Sequence, residues 1–315
     1  MVKYLDKKGA EITVLDNLST GHRDLITAGK FIEGDLGDIA LLDSIFEEGD
    51  IDVVMHFAAS SLVGESVADP LKYYVNNVSH TANLLSAMQY RGIKNFIFSS
   101  TAAVYGEPDT LPITETTRTN PTNPYGATKL AVERMLKDCD AGFGLKSVCL
   151  RYFNACGADE SAIIGERHQP ETHLIPLVLQ VAAGRREHIS VFGNDYETKD
   201  GTCLRDYIHV NDLAQAHYLA MNRLLDGADS SIYNLGNSTG FSVRQVIDQV
   251  RLVTNEKIKV IDAPRRVGDP AVLVADSAKA RQELGWQPQY ESLPVMIESA
   301  WAWHQRDFPE ISENN

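Results

Sequence analysis

Residues 95–106 read NFIFSSTAAVYG, an apolar segment that runs directly into a cluster of hydroxyl side chains. The apolar residues are consecutive rather than alternating, which favours a strand buried on both faces, as in a parallel sheet. Side chains at the carboxyl end of a parallel strand face the ligand crevice of an open α/β sheet. The stretch therefore predicts a central strand that delivers hydroxyl groups, Thr101 among them, to a binding site.

The rest of the chain supports an α/β class. Similar apolar runs occupy residues 12–15, 52–57 and 147–152, and helical patterns occupy 39–48, 70–90 and 125–138. This alternation predicts a Rossmann-like, doubly wound parallel sheet. After about residue 154 the rhythm loosens into loops rich in Gly and Pro, with helical patterns at 174–183 and 243–253. We expect a dinucleotide-binding domain at 1–154 and a smaller α+β substrate-binding lobe at 155–315, some segments of which return to the first domain.

Charge and composition exclude several classes. The 315 residues contain 29 Lys and Arg against 43 Asp and Glu, a formal net charge of -14. A chain this acidic is a poor ligand for nucleic acid or an anionic membrane. There is no apolar run of the roughly 20 residues that a membrane span needs, and no apolar signal segment follows Met1. The four cysteines form no CxxC pair, which favours free thiols and a cytoplasmic location.

The strongest chemical pattern is Tyr125-Gly-Ala-Thr-Lys129. Residues four apart share one face of a helix, so the lysine is expected to lower the tyrosine pKa by stabilising its phenolate. Such a tyrosine can exchange a proton with a sugar hydroxyl, and Thr101 is placed to hydrogen-bond that hydroxyl. The alternatives are an exposed helical Tyr–Lys pair and an ordinary turn rich in Ser and Thr.

Asp16 ends the first apolar run. A carboxylate at that point accepts hydrogen bonds from an adenosine ribose and repels a 2′-phosphate, which favours NAD over NADP. The alternative is an Asx turn or a helix cap.

Several longer motifs carry a resemblance to a known family. They are LDNLSTGHR (15–23), EGDLGD (33–38), HFAASSLVGESVADPLKYYVNN (56–77), FSSTAAVYG (98–106), NPYGATK (123–129), LRYFNACGA (150–158), VFGNDYETKDGTCLRDYIHVNDLA (191–214), YNLG (233–236) and APRRVGDPA (263–271). Together they resemble the UDP-glucose 4-epimerases of the extended short-chain dehydrogenase/reductase superfamily. The resemblance spans nearly the whole chain.

The resemblance implies interconversion of UDP-glucose and UDP-galactose, a reaction of galactose metabolism, by a homodimer with tightly held NAD. Tyr125 takes the 4-hydroxyl proton while hydride passes from C4 to NAD, the 4-keto sugar turns, and hydride returns to the other face. The catalytic residues are then Tyr125, Lys129 and Thr101. The implied cofactor residues are Asp16, Asn17, Asp35, Leu36, Phe57, Ala58, Ala59, Asn76, Tyr125, Lys129 and Phe153. The implied UDP-sugar residues are Thr101, Asn154, His173, Leu174, Phe192, Arg205, Tyr207, Arg266, Asp269 and Leu273.

Three positions depart from the family pattern. Ser61 stands where some members have Lys near the cofactor, His173 where some have Asn on the substrate, and Leu273 where several have Tyr at the gate of the hexose pocket. No metal site is expected, because His168, Glu171 and His173 lie in a loop without a third matching ligand group.

The family opens with a strand, a GxxGxxG turn and a helix, whereas Met1 falls inside what corresponds to that helix. The spacing of Gly236 and Gly240 does not replace the glycine turn. We therefore expect the first strand of the sheet to be absent, a translation start some 20 residues upstream, and impaired stability and cofactor binding in the chain as written.

Two rival functions remain. A sugar-nucleotide dehydratase or decarboxylase resembles an epimerase but carries an acid directly after the catalytic hydroxyl residue, where this chain has Ala102 and Ala103. The second rival is a catalytically inactive member of the family that binds only a nucleotide sugar or a partner. The missing opening segment supports it.

Overall fold

The computed structural model describes residues 1–266 and 269–306. Val267 and Gly268 of the APRRVGDPA motif and residues 307–315 lie outside that part of the chain. Within it, no helix combines the length and apolar character that crossing a bilayer requires.

The strands form one central sheet and several small ones. Their bounds are β1 Thr13–Asp16, β2 Lys30–Glu33, β3 Val54–His56, β4 Asn95–Thr101, β5 Lys146–Tyr152, β6 Asn154–Cys156, β7 Ile189–Phe192, β8 Leu204–Arg205, β9 Tyr207–His209, β10 Ser231–Leu235, β11 Phe241–Ser242, β12 Val260–Ala263 and β13 Val272–Leu273.

The helices cover the sheets on both sides. Their bounds are α1 Val2–Lys7, α2 Ile39–Glu48, α3 Val63–Ala68, α4 Pro70–Tyr73, α5 His80–Arg91, α6 Pro124–Phe143, α7 Leu174–Ala182, α8 Val210–Leu225, α9 Val243–Thr254, α10 Ala278–Glu283 and α11 Leu293–His304.

The central sheet is parallel, in the order β10-β5-β4-β3. Alternate residues of β4 enter different cores: Phe96 and Phe98 pack with residues of α2, α5 and α6. Ile97 packs on the other face with residues of α8 and β10. Both faces of the strand are therefore buried, which confirms the predicted doubly wound α/β class and explains why the strand is apolar throughout.

Strands β1 and β2 form a separate parallel pair, in which Asp16 lies opposite Glu33. Among residues 1–266 and 269–306, no strand is hydrogen-bonded between β1 and β3. The polar ends of β1 and β2 still lie at the same edge as one another, because parallel strands share their carboxyl ends.

The predicted helix over 70–90 is confirmed as one helical stretch, but it is not α-helical throughout. It is divided into α4, a π-helical turn over Tyr74–Ser79, and α5. Such wide turns often accompany functional sites, and this one contains Asn76. Hydrophobic periodicity alone does not reveal the insertion, because one extra residue per turn shifts the apolar face only locally.

The second half of the chain builds its own core from α7, α9, α11 and the β7–β12 pair. Some of its segments also complete the first domain, since β10 joins the edge of the central sheet and α8 covers that sheet. A boundary at 154 remains a prediction for the domain division.

Candidate active site

A large cleft opens where β3, β4 and β5 end, at the crevice that parallel sheets use for ligands. Its volume of about 1680 Å³ exceeds the roughly 300–1,000 Å³ of an ordinary small-ligand pocket. The cleft therefore has room for more than one nucleotide-sized ligand.

Tyr125 and Thr101 meet in this cleft. Thr101 is the last residue of β4, and Tyr125 lies in the first turn of α6, which Asn123 caps by accepting a hydrogen bond from the Gly126 N–H at 2.9 Å. A Cβ at Gly126 would come within 2.5 Å of the Ala103 carbonyl oxygen, so only glycine lets α6 approach the turn after β4 this closely. Burial raises the pKa of Tyr125, and its hydrogen bond with the Thr101 side chain opposes that rise.

The side chain of Lys129 makes contacts other than those expected from the sequence. Its Nζ donates to the Ser99 carbonyl oxygen at 2.8 Å and lies 4.8 Å from the centre of the Phe98 ring. Burial lowers the pKa of Lys129 to about 7, and the Glu133 carboxylate opposes this. The expected lowering of the Tyr125 pKa by Lys129 is therefore not found: burial raises that pKa, and the opposing effect comes from Thr101 rather than from Lys129.

A buried ionic network behind Tyr125 and Lys129 escaped the sequence reasoning. Glu133, one turn beyond Lys129 on α6, pairs with Arg151 of β5 at 2.5 Å and accepts a hydrogen bond from the Ser100 hydroxyl at 2.6 Å. Arg151 also donates to the Tyr105 hydroxyl at 2.9 Å. The network fixes α6 against β4 and β5. Its sequence signal was available, since Tyr125, Lys129 and Glu133 recur at four-residue spacing on one helix face.

The loop after β3 forms another wall of the cleft. The Phe57 ring stacks on His217 with 4.8 Å between centroids. The Asn76 amide donates to the Ser60 hydroxyl at 3.2 Å. The neighbouring Asn77 is buried, accepts from the Ser60 N–H at 2.8 Å and donates to the Thr128 hydroxyl at 3.1 Å. The π-helical turn thus ties this loop to α6, and sequence reasoning missed Asn77.

Two carboxylates stand at the ends of β1 and β2. Asp16 accepts the Leu18 N–H at 2.7 Å, so the Asx turn considered from the sequence does form. Asp35 accepts the Gly37 N–H at 2.6 Å and the Asn17 amide at 2.6 Å, and these bonds hold the pKa of its carboxyl below the usual range.

The carboxylate acceptors at this edge fit the ribose hydroxyls at the adenosine end of NAD. A Cβ at Gly21 would stand 3.0 Å from Asp16 Oδ1, and one at Gly37 would stand 3.0 Å from Asp35 Oδ1, so glycines keep space open beside both carboxylates. Carboxylates accept hydrogen bonds from ribose hydroxyls and repel a 2′-phosphate.

The second lobe contributes two arginines and Leu273 to the cleft. Arg205 of β8 forms an ion pair with Asp269. The Arg266 guanidinium lies 4.1 Å from the centre of the Phe192 ring. Leu273 of β13 packs with Phe153 against the buried cluster beneath the cleft. Guanidinium groups suit phosphate oxygens, although Arg205 would have to share its charge between Asp269 and a ligand.

The cleft brings together most of the predicted catalytic and sugar residues. Those that line it are Phe57, Ala59, Thr101, Tyr125, Lys129, Phe153, Asn154, His173, Arg205, Arg266, Asp269 and Leu273. The predicted residues outside its lining are Asp16, Asn17, Asp35, Leu36, Ala58, Asn76, Leu174, Phe192 and Tyr207. Tyr207 is 5% exposed and packs against Phe241, 6.5 Å away between ring centroids, so its ring belongs to the core of the second lobe.

Asp206 is a further residue that the sequence reasoning missed. It is fully buried and accepts hydrogen bonds from the backbone N–H groups of Asn237, Ser238 and Ala275 at 2.7–3.1 Å. Its carbonyl oxygen accepts from the Asn154 amide at 2.6 Å. Asp206 therefore anchors the strand that carries Arg205 and orients Asn154 at the cleft.

Known proteins resemble this chain in both sequence and fold. The family described as NAD dependent epimerase/dehydratase matches residues 1–236. A UDP-glucose 4-epimerase of Halalkalibacterium halodurans is 55% identical over 304 residues, which cover 96% of this chain and 91% of the relative. The crystal structure of a UDP-glucose 4-epimerase from Brucella ovis in complex with NAD superposes with a TM-score of 0.94 at 48% identity, covering 95% of this chain and 92% of that chain.

A third match bears on substrate size. The UDP-Glc/GlcNAc 4-epimerase of Campylobacter jejuni superposes with a TM-score of 0.81 at 44% identity, covering 93% of this chain and 91% of that chain.

Proposed function

This chain belongs to the NAD dependent epimerase/dehydratase family, and from that premise we propose that its cleft epimerises C4 of a UDP-hexose, interconverting UDP-glucose and UDP-galactose. The observation that carries the proposal is that Thr101, at the end of β4, and Tyr125, in the first turn of α6, line one cleft large enough for a dinucleotide and a nucleotide sugar.

NAD supplies a reversible hydride acceptor when it is bound, and the chain supplies the proton chemistry. Tyr125 receives the proton of the sugar 4-hydroxyl, and Thr101 orients that hydroxyl through its own side chain. Because burial raises the Tyr125 pKa, the phenol needs a nearby positive charge to act as a base. Lys129, on the same face of α6, is the group of this chain that provides such a charge.

Binding of the adenosine end is assigned to Asp16, Asn17, Asp35 and Leu36. The nicotinamide end is assigned to Tyr125, Lys129 and Phe153, with Phe57, Ala58, Ala59 and Asn76 along the channel. The UDP-sugar is assigned to Thr101, Asn154, Leu174, Phe192, Arg205, Arg266, Asp269 and Leu273. The arginines lie in the second lobe and the reacting groups in the first, so the nucleotide can be held firmly while the sugar turns.

Elimination chemistry is disfavoured by the turn after β4. Ala102 and Ala103 follow Thr101 there, and the Thr101 hydroxyl accepts the Ala103 N–H at 3.1 Å. Neither alanine can donate a proton to a leaving hydroxyl. Epimerisation needs no such donor, because no group leaves the sugar: the hydride returns to C4 and the proton returns to the oxygen on C4.

Leu273 favours a broad sugar pocket. It replaces the Tyr that gates the hexose pocket in several family members, and the branched side chain leaves free the space that a phenol would occupy. The Campylobacter jejuni relative acts on both UDP-Glc and GlcNAc derivatives by its description. We infer that this chain also accepts UDP-N-acetylglucosamine.

The direct test is turnover of UDP-galactose to UDP-glucose with NAD present, comparing the wild type with Tyr125→Phe. Loss of the acid–base hydroxyl is expected to lower kcat by about 10²–10⁴-fold while UDP binding persists. Tyr90→Phe is the matched control, because Tyr90 is 79% exposed on α5. Near wild-type turnover in Tyr125→Phe would overturn the assignment of the base. Binding of NAD and UDP-sugar with no turnover in the wild type would favour the non-catalytic alternative.

A homodimeric state and a cytoplasmic location remain predictions of the family resemblance and of the sequence composition.

A further inference from the structure

A compact group of ligand-type side chains lies at the rim of the cleft, in the segment between β6 and α7. Glu166, His168, Glu171 and His173 each direct one potential ligand atom into the group, and these atoms all lie within 4.8 Å of one another. The sequence argument against a metal rested on the lack of a matching ligand group beside His168, Glu171 and His173. The Glu166 carboxylate supplies that group, because the chain folds back on itself here.

The separations between these atoms suit a small divalent ion. His168 Nδ1 lies 3.1 Å from Glu166 Oε1 and 3.6 Å from Glu171 Oε2, and His173 Nδ1 lies 3.6 Å from Glu171 Oε1 and in direct contact with Glu166 Oε1. Ligands about 2.0–2.1 Å from a tetrahedral Zn²⁺ stand roughly 3.4 Å apart. Three of these separations, at 3.1, 3.6 and 3.6 Å, are thus already near the edge length of that tetrahedron, and the His173 and Glu166 atoms would move apart to admit the ion.

The Glu171 carboxylate and the Glu166 backbone are each fixed by hydrogen bonds from outside the group, as the ligands of a metal site usually are. Glu171 Oε1 accepts the backbone N–H groups of Thr172 and His173 at 2.7 and 2.8 Å, which leaves Oε2 facing His168. The Glu166 carbonyl oxygen accepts the Trp303 indole N–H at 2.8 Å. Gly165 lies so close to Trp303 that a Cβ would come within 2.3 Å of the ring. The segment that carries the four side chains is therefore packed against α11.

The geometry points to a metal site: one divalent transition-metal ion, Zn²⁺ by preference, bound by His168 Nδ1, His173 Nδ1 and one oxygen each of Glu166 and Glu171. Two neutral imidazoles and two carboxylates carry a charge of -2 that matches the ion, and a mixed nitrogen and oxygen donor set suits Zn²⁺. Four protein ligands make this a structural site, distinct from the proton chemistry of Tyr125.

The position gives the ion a role at the rim. Arg167, between two of the ligands, forms an ion pair with Asp24 at 2.5 Å, and its carbonyl oxygen accepts the His22 ring N–H at 3.0 Å. The same segment thus contacts the loop after β1 and, through Trp303, the second lobe. An ion here fixes the segment that leads into α7.

The test measures metal binding directly, without reference to turnover. The whole chain is dialysed against chelator, then titrated with ZnCl₂ by calorimetry, and its metal content is measured after gel filtration. We expect one Zn²⁺ per chain. We expect His168→Ala and Glu171→Gln each to weaken binding by more than the roughly 10–100-fold that loss of an outer hydrogen-bond partner costs. His188→Ala, which removes a histidine of the second lobe outside the group, is expected to bind as the wild type does.

Cobalt binding to the wild type provides a second measurement, which does not depend on whether the variants fold. CoCl₂ added to the wild type is expected to give the intense visible absorption of four-coordinate Co²⁺, and ZnCl₂ is expected to remove it. Wild-type binding weaker than on the order of 100 μM, or binding unchanged in both ligand variants, would show that the four side chains are an ion-paired cluster only. An octahedral cobalt spectrum would overturn the assigned ligand set.

Discussion

Lys129 is expected to reduce the stability of the fold, and its removal should stabilise the protein in a manner that depends on pH. Its amine is 3% exposed, and burial lowers its pKa to about 7 from the ordinary value of 10.5. Between these two pKa values the unfolded chain binds more protons than the folded one, so the free energy of unfolding rises with pH across that window. The penalty from this group is about 4 kcal/mol at pH 7 and about 2 kcal/mol at pH 9.

The perturbation is Lys129→Met, which keeps the length of the side chain and removes the titrating group. The variant also loses the hydrogen bond to the Ser99 carbonyl, which costs about 1 kcal/mol but does not change with pH in this range. The diagnostic quantity is therefore the stability difference between variant and wild type at two pH values. We expect the advantage of the variant to shrink by about 2 kcal/mol between pH 7 and pH 9.

The assay is equilibrium urea unfolding of both proteins without added nucleotide, at pH 7, 8 and 9. Lys137→Met is the matched control, because Lys137 lies two turns further along α6 and is exposed. Its difference from the wild type is expected to stay constant with pH. A stability gap between Lys129→Met and the wild type that fails to narrow as pH rises would refute the argument that burial of this amine sets its pKa. We expect turnover to be lost in the variant, so Lys129 would lower the stability of the fold while being required for catalysis.

Two further substitutions test the cleft and its support. Leu273→Tyr is expected to reduce epimerisation of UDP-N-acetylglucosamine relative to UDP-glucose, measured as the ratio of the two kcat/KM values; an unchanged ratio would show that this residue does not gate the pocket. Glu133→Ala leaves the buried Arg151 guanidinium without its partner and should destabilise the fold by about 3–5 kcal/mol, measured by urea unfolding. Removal of the exposed partner in the Lys30–Glu48 pair by Glu48→Ala should leave the free energy of unfolding nearly unchanged.

The elements of the first domain could be predicted because their signals are local. The helix predicted at 39–48 is α2, whose capping residue Asp38 accepts the Leu41 N–H at 3.0 Å. The apolar run at 95–99 is the core of β4, since a strand covered on both faces must be apolar at every position. The Tyr125 and Lys129 pair was predicted for the same reason, because positions four apart on a helix share a face whatever surrounds them.

The family motifs also allowed residues on other walls of the cleft to be predicted. They placed Arg205, Arg266 and Leu273 together although composition and periodicity gave no reason to do so. They did not reveal that Arg205 is paired with Asp269, since that contact joins positions far apart in the chain.

Electrostatics and clusters were decided only by the tertiary structure. The sequence predicted a lowered Tyr125 pKa, but desolvation depends on all the groups packed around the phenol, and it raises that pKa instead. The direction of the Lys129 amine toward Ser99 depends on how α6 lies against β4. The sequence likewise showed His168, Glu171 and His173 as an isolated set, and only the folding of the rim segment brings the Glu166 carboxylate to them. Local patterns fix which residues share a strand or a helix face, whereas charge, burial and ligand geometry arise from contacts between segments that the sequence does not order in space.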